Sequence, residues 1–126
     1  MSLHRRLIAS LAVCLPLTVA LAPACAQTWP DKPIRVVLPY PPGGPSDIVM
    51  RLAAEKMQAV LKQPIVIENK PGAGGNLGTA EVARAAPDGQ TWLWITDTVM
   101  TVNPHVYKNL GFKPEALTPV TVGTAF

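Results

Sequence analysis

Ile34-Arg35-Val36-Val37-Leu38 is a short, β-branched run fenced by Pro33 and Pro39, and it reads as a buried strand. After the loop Pro39 to Pro45, Ser46 or Asp47 stands where a side-chain oxygen can cap the first turn of a helix predicted to run to about Lys62. Arg51, Glu55, Gln58 and Lys62 recur at helical spacing as its polar stripe. Ile48, Val49, Leu52, Ala53, Val60 and Leu61 are expected on the packed arc, with Lys56 the one misplaced charge. Pro64 opens a second strand, Ile65-Val66-Ile67. The glycine-rich turn Pro71-Gly72-Ala73-Gly74-Gly75-Asn76 then leads into a second helix, which is expected to reach about Ala86 before Pro87-Asp88-Gly89 ends it. Thr91-Trp92-Leu93-Trp94-Ile95-Thr96 reads as a third strand, a short helix is expected around Asn103 to Lys108, and Val120-Thr121-Val122 is predicted to begin a fourth strand. Strand, helix, strand, helix, strand at this spacing predicts an α/β architecture, with right-handed crossovers and a parallel sheet covered on both faces.

The 126-residue chain opens with features of an export signal. Arg5 and Arg6 supply a basic start, Leu7 to Leu21 carries no charge over fifteen residues, and Ala24-Cys25-Ala26 offers the small residues a signal peptidase needs. The uncharged run is short for a membrane span and is interrupted by Pro16. Residues 1–26 are therefore read as a secretory signal peptide and residues 27–126 as the mature part, starting at Gln27 and located in the periplasm. A rival reading lipidates Cys25 and anchors the chain. Without the signal, nine basic residues face eight acidic ones, so no basic tract remains to follow a phosphate backbone and no nucleic-acid partner is expected. Both cysteines, Cys14 and Cys25, fall in the signal, which leaves the mature part no disulfide, thiolate nucleophile or cysteine zinc site. A hundred residues suffice for about one small domain.

In a parallel sheet the strand-to-helix loops emerge at one edge, where helix N-termini point unpaired N–H groups and positive dipole ends into a crevice. The loop Tyr40-Pro41-Pro42-Gly43-Gly44-Pro45-Ser46-Asp47 and the loop Pro71 to Gly78 both belong there. Their glycines let a ligand approach the backbone, so a carboxylate can be held by N–H groups and the Ser46 hydroxyl without Arg or Lys. The same features also suit ordinary turns and caps, and Asp47 is open to either capping or direct ligand contact. Thr96, Asp97 and Thr98 stand at the third strand's end as polar candidates. Trp92 and Trp94 share one face by period two and are assigned to the core before ligand stacking. A dinucleotide fingerprint starting at Gly72 would need glycine where Leu77 stands, and no Gly-Lys-Ser or Gly-Lys-Thr phosphate loop occurs. With His105 the only histidine and Ser46 the only serine after residue 26, no triad, nucleophile elbow or histidine metal site can be assembled. No metal and no cofactor are expected.

Four segments carry a resemblance: Trp29-Pro30-Asp31-Lys32-Pro33-Ile34-Arg35, Pro41-Pro42-Gly43-Gly44-Pro45-Ser46-Asp47, Glu68-Asn69-Lys70-Pro71-Gly72-Ala73-Gly74-Gly75-Asn76 and Pro87-Asp88-Gly89. Together with Asn103-Pro104 and Tyr107-Lys108, they resemble the extracytoplasmic solute receptors of tripartite tricarboxylate transporters, also called Bug-type proteins. The resemblance implies the parallel-sheet lobe of a two-lobed, type II-like periplasmic binding protein, incomplete in this chain because family members are longer. It implies no enzyme. The implied function is binding of a small organic carboxylate (a di- or tricarboxylate, an aromatic acid or an acidic amino acid) and its delivery to membrane permease subunits by a monomeric receptor. It also implies ligand contacts at Tyr40, Pro42, Gly43, Gly44, Ser46, Asp47, Ala73, Gly74, Asn76, Thr96, Asp97 and Thr98. Gln90, Ile95-Thr96-Asp97-Thr98 and Ala116-Leu117 depart from the family pattern, and Asp97 puts a negative charge where an anion is expected. The alternatives are an exported fragment of a nucleotide-dependent α/β enzyme, favoured by the glycine loop after a strand, and a non-functional truncated remnant.

Overall fold

A computed structural model describes residues 28–123. Three parallel strands, β1 (Ile34–Leu38), β2 (Ile65–Asn69) and β3 (Thr91–Leu93), form a sheet in the order β2-β1-β3. Ile34 pairs with Ile65 and Leu38 with Asn69 on one side of β1, and Arg35 pairs with Thr91 on the other. Four helices complete the frame: α1 (Pro45–Leu61), α2 (Asn76–Ala83), α3 (Thr98–Thr101) and α4 (Asn103–Val106). The expected α/β fold with a parallel sheet is present. Residues 1–26, read above as a signal peptide, lie outside the described residues, among which no helix is long and apolar enough to cross a membrane.

The sheet is covered on both faces because its middle strand alternates what it shows. Ile34, Val36 and Leu38 face α1 and form the core with Met50, Ala54 and Ile65, while Met57, Leu61, Ile67, Trp92 and Trp94 pack around it. This bears out the core assignment of the two tryptophans, and Trp92 also stacks on Trp29 at 6.4 Å between ring centroids. On the opposite face Arg35 donates to Glu68 through Nε (2.9 Å) and Nη2 (2.8 Å) and also to Glu81 of α2. Hydrogen bonding to Arg35 lowers the pKa of both glutamates and raises that of the guanidinium. Lys70 adds weaker contacts to the same two acids. This cluster fastens α2 to the sheet.

Several expectations are corrected. The packed arc of α1 is Asp47, Met50, Ala54, Met57 and Leu61, a three–four spacing that shares only Leu61 with the predicted stripe, and Ile48, Leu52 and Val60 are exposed. Two unbranched methionines and an acid fill the seam, and the acid is tolerated because its oxygens are fully hydrogen-bonded. Neither Ser46 nor Asp47 is the N-cap: that position is Gly44, with Pro45 entering the first turn, where its missing N–H is no loss. Helix α2 ends at Ala83 in a tightened turn, with Arg84 N–H bonding Glu81 O, rather than at Ala86. Strand β3 stops at Leu93, although Trp94 N–H still reaches Val37 O at 3.0 Å, because Thr96 N–H turns instead to the Tyr40 hydroxyl. The short helix expected around Asn103 to Lys108 is present as α4, ending at Val106, and a further helix that was not expected, α3, precedes it. Val120 to Val122 form no strand: β1 is already flanked on both sides, neither outer edge of the sheet receives the segment, and Val120 stands 92% exposed.

Candidate functional site

Neighbouring strands β1 and β2 send their chains to opposite faces of the sheet, so a crevice opens beyond their carboxyl ends. Three loops meet there: loop 1 (residues 39–44), loop 2 (residues 70–75) and loop 3 (residues 94–97). They surround an open cavity of about 390 Å³. Loop 1 contributes Pro39, Tyr40 and Pro41, loop 2 contributes Pro71, Gly72, Gly74 and Gly75, and Thr96 comes from loop 3. Thr98, Val99 and Asn103 close it from α3 and α4. None of these residues is charged, and the walls are mostly prolines, Val99 and the Tyr40 ring.

Loop 1 is held from below. Asp47, 2% exposed, accepts from Gly43 N–H (2.9 Å), from Arg51 Nε and Nη2 (2.8 and 2.9 Å) and from Asn69 Nδ2 (3.0 Å). The Arg51 guanidinium first, then the Gly43 amide and Asn69, hold this carboxyl well below the usual aspartate range. Asn69 also donates to Tyr40 O at 3.1 Å, so the end of β2 fixes the start of loop 1. Across the cavity the Tyr40 hydroxyl accepts from Thr96 N–H at 3.0 Å and shares a 2.8 Å hydrogen bond with Thr96 Oγ1.

Loop 2 turns by an unusual backbone path. Gly72, Ala73, Gly74 and Gly75 all have positive φ, and at Ala73 (φ +48) a side chain sits in a region that favours glycine. At Gly74 (φ +62) the left-handed backbone favours glycine, and a Cβ there would have to displace the Tyr107 hydroxyl, which would lie 2.6 Å away. Gly75 N–H bonds Gly72 O, and Asn76 N–H bonds Ala73 O, closing the turn into α2. Asn103 Nδ2 clasps it from α4, donating to Gly74 O at 2.9 Å and to Asn76 Oδ1 at 2.7 Å. Asn76 Nδ2 is buried behind the loop 2 wall with no protein partner. The positive end of the α2 dipole lies at the same place.

Residues 49–124 match the family model described as the tripartite tricarboxylate transporter family receptor. The chain belongs to this family. Its relatives include the protein BugT of Bordetella pertussis, 35% identical over 119 residues, which take in 93% of this chain and 36% of BugT. A UPF0065 protein of the same organism is 46% identical over 106 residues, covering 84% of this chain and 33% of that protein. Among solved structures, the periplasmic binding protein BugD shares 43% identity at a TM-score of 0.62, over 68% of this chain and 28% of BugD. R. palustris Rpa4515 with adipate shares 32% identity at a TM-score of 0.66, over 69% of this chain and 29% of that one. The chain thus spans about a third of the length of the curated relatives it matches. The family is one of solute-binding receptors and not of enzymes, as the resemblance implied.

Of the residues the sequence singled out, the geometry brings Tyr40, Gly74, Thr96 and Thr98 onto the cavity wall. Pro42, Ala73, Asn76 and Asp97 neighbour wall residues in the chain without lining the cavity, Gly43, Gly44 and Ser46 are not on its wall, and the Asp47 carboxylate is occupied within loop 1. Sequence reasoning did not single out Val99 and Asn103, which arrive from a later helix pair, or Asn69, which works from beneath. The Asn103-Pro104 pair was visible, but only as part of a family signature.

Proposed function

We propose that this chain forms the ligand-gripping part of a periplasmic solute receptor, exported by residues 1–26, that binds a small organic carboxylate. Its cargo goes to the membrane permease of a tripartite tricarboxylate transporter, and the receptor works as a monomer. One observation carries the reading: three strand-ending loops converge on a single uncharged cavity at the positive end of α2. Hydroxyls of Tyr40, Thr96 and Thr98 are at hand there, and behind the wall the Asn76 Nδ2 has no protein acceptor. In such a setting oriented dipoles replace a cationic side chain in holding an acid group. The adipate in the Rpa4515 structure supports a carboxylate as the guest.

The test is thermal shift followed by calorimetry on the protein expressed from its own reading frame, against dicarboxylates, tricarboxylates, aromatic acids and acidic amino acids, with NAD and ATP as controls. A carboxylate that binds the folded state raises its melting temperature, by an amount equivalent to about 2.7 kcal/mol at a hundredfold excess over Kd. A nucleotide response with no carboxylate response refutes the proposal.

A further inference from the structure

We infer that the cavity admits a single carboxylate carried on an apolar carbon chain, and that Asp97 makes it discriminate against compact polyanions such as citrate. The inference rests on the carboxylate-receptor reading above and narrows its ligand class. The first observation is the wall. Pro41 and Pro71 present hydrocarbon to whatever enters, Pro39 and Val99 lie buried behind them, and none of the described residues lining the cavity is charged. The nearby cations are engaged elsewhere, Arg51 with Asp47 at the root of loop 1, and Arg35 and, more loosely, Lys70 with Glu68 and Glu81 on the far face of the sheet. A first carboxylate can be met by dipoles and hydroxyls. A second one beside it would lose its water without gaining a counter-charge, which is the expensive way to bury an ion.

The second observation is Asp97, placed between two wall residues, Thr96 and Thr98. Its Oδ1 accepts Thr98 N–H at 2.8 Å as the N-cap of α3, and its exposed carboxylate adds negative charge at the rim. Two like charges a few ångströms apart in this partly solvated setting repel enough to change affinity roughly threefold to tenfold. An acid such as adipate keeps its second carboxylate four methylenes away and lets the chain lie along the prolines. Citrate brings all three together.

Asp97→Asn separates charge from structure, because asparagine caps a helix as well as aspartate does. The expected result, from calorimetry on the protein expressed from its own reading frame, is adipate at least tenfold tighter than citrate. In Asp97→Asn that ratio is expected to narrow about threefold to tenfold while the melting temperature stays put. Citrate binding as tightly as adipate, or an unchanged ratio in Asp97→Asn, overturns this inference and leaves the carboxylate reading standing. Binding of neither acid, nor of any other tested carboxylate, overturns both.

Discussion

Asn103→Ala is the substitution whose consequence can be worked out most fully. Asn103 and Asn76 are 6% and 3% exposed, so water cannot readily replace what either loses. The change deletes the 2.9 Å bond to Gly74 O and the 2.7 Å bond to Asn76 Oδ1, each worth about 1 kcal/mol. It also leaves the Asn76 amide with neither end paired, which adds roughly 1 kcal/mol for a buried polar group. A loss of about 3 kcal/mol in a domain of this size lowers the melting temperature by about 12 to 24 °C. Circular dichroism melts and urea titrations read it directly. The double variant Asn76→Ala/Asn103→Ala removes the orphaned amide altogether, so it should be less destabilised than the two single changes taken together. Full additivity, or an Asn103→Ala protein that melts within about 3 °C of wild type, refutes the reasoning.

The acids tied to arginine predict a pH profile. Asp47, Glu68 and Glu81 all have pKa values lowered in the folded state, so their stabilisation is present above about pH 4, the ordinary carboxyl range, and is lost as pH falls through their folded values. Urea midpoints of wild type should therefore drop from pH 7 to pH 3, and the gap between wild type and Arg51→Gln should shrink over the same interval. Met50→Ala, at a position 1% exposed, should cost about 2 to 5 kcal/mol, whereas Leu52→Ser, at 60% exposed, should stay within about 0.5 kcal/mol. Paired denaturation curves check that contrast. Gly74→Ala should destabilise by about 1 to 2 kcal/mol through its left-handed backbone alone, and by more because the new methyl meets Tyr107, read as a lower denaturant midpoint.

What could be read from the residue order follows the range of the forces involved. β1 and β2 were legible because short β-branched runs between prolines leave the chain few choices, and the start of α1 was placed two to three residues late, at Ser46 or Asp47 instead of Gly44. The face of α1 was misjudged. Its stripe is built from Met50, Ala54 and Met57 around a satisfied Asp47, and only the distant Asn69, eighteen positions beyond Arg51, shows that an acid is acceptable there. The two loops at the crevice were anticipated from their glycines. Their fasteners were not, because Asn69 and Asn103 act across the fold and leave no periodic trace. Val120 to Val122 have the composition of a strand but no neighbouring strand to bond.

The bond between Tyr40 and Thr96 acts as a strut. With the phenol spanning the gap between the turns that follow β1 and β3, the aperture at that end is set before any guest arrives, and widening it means breaking two hydrogen bonds at once.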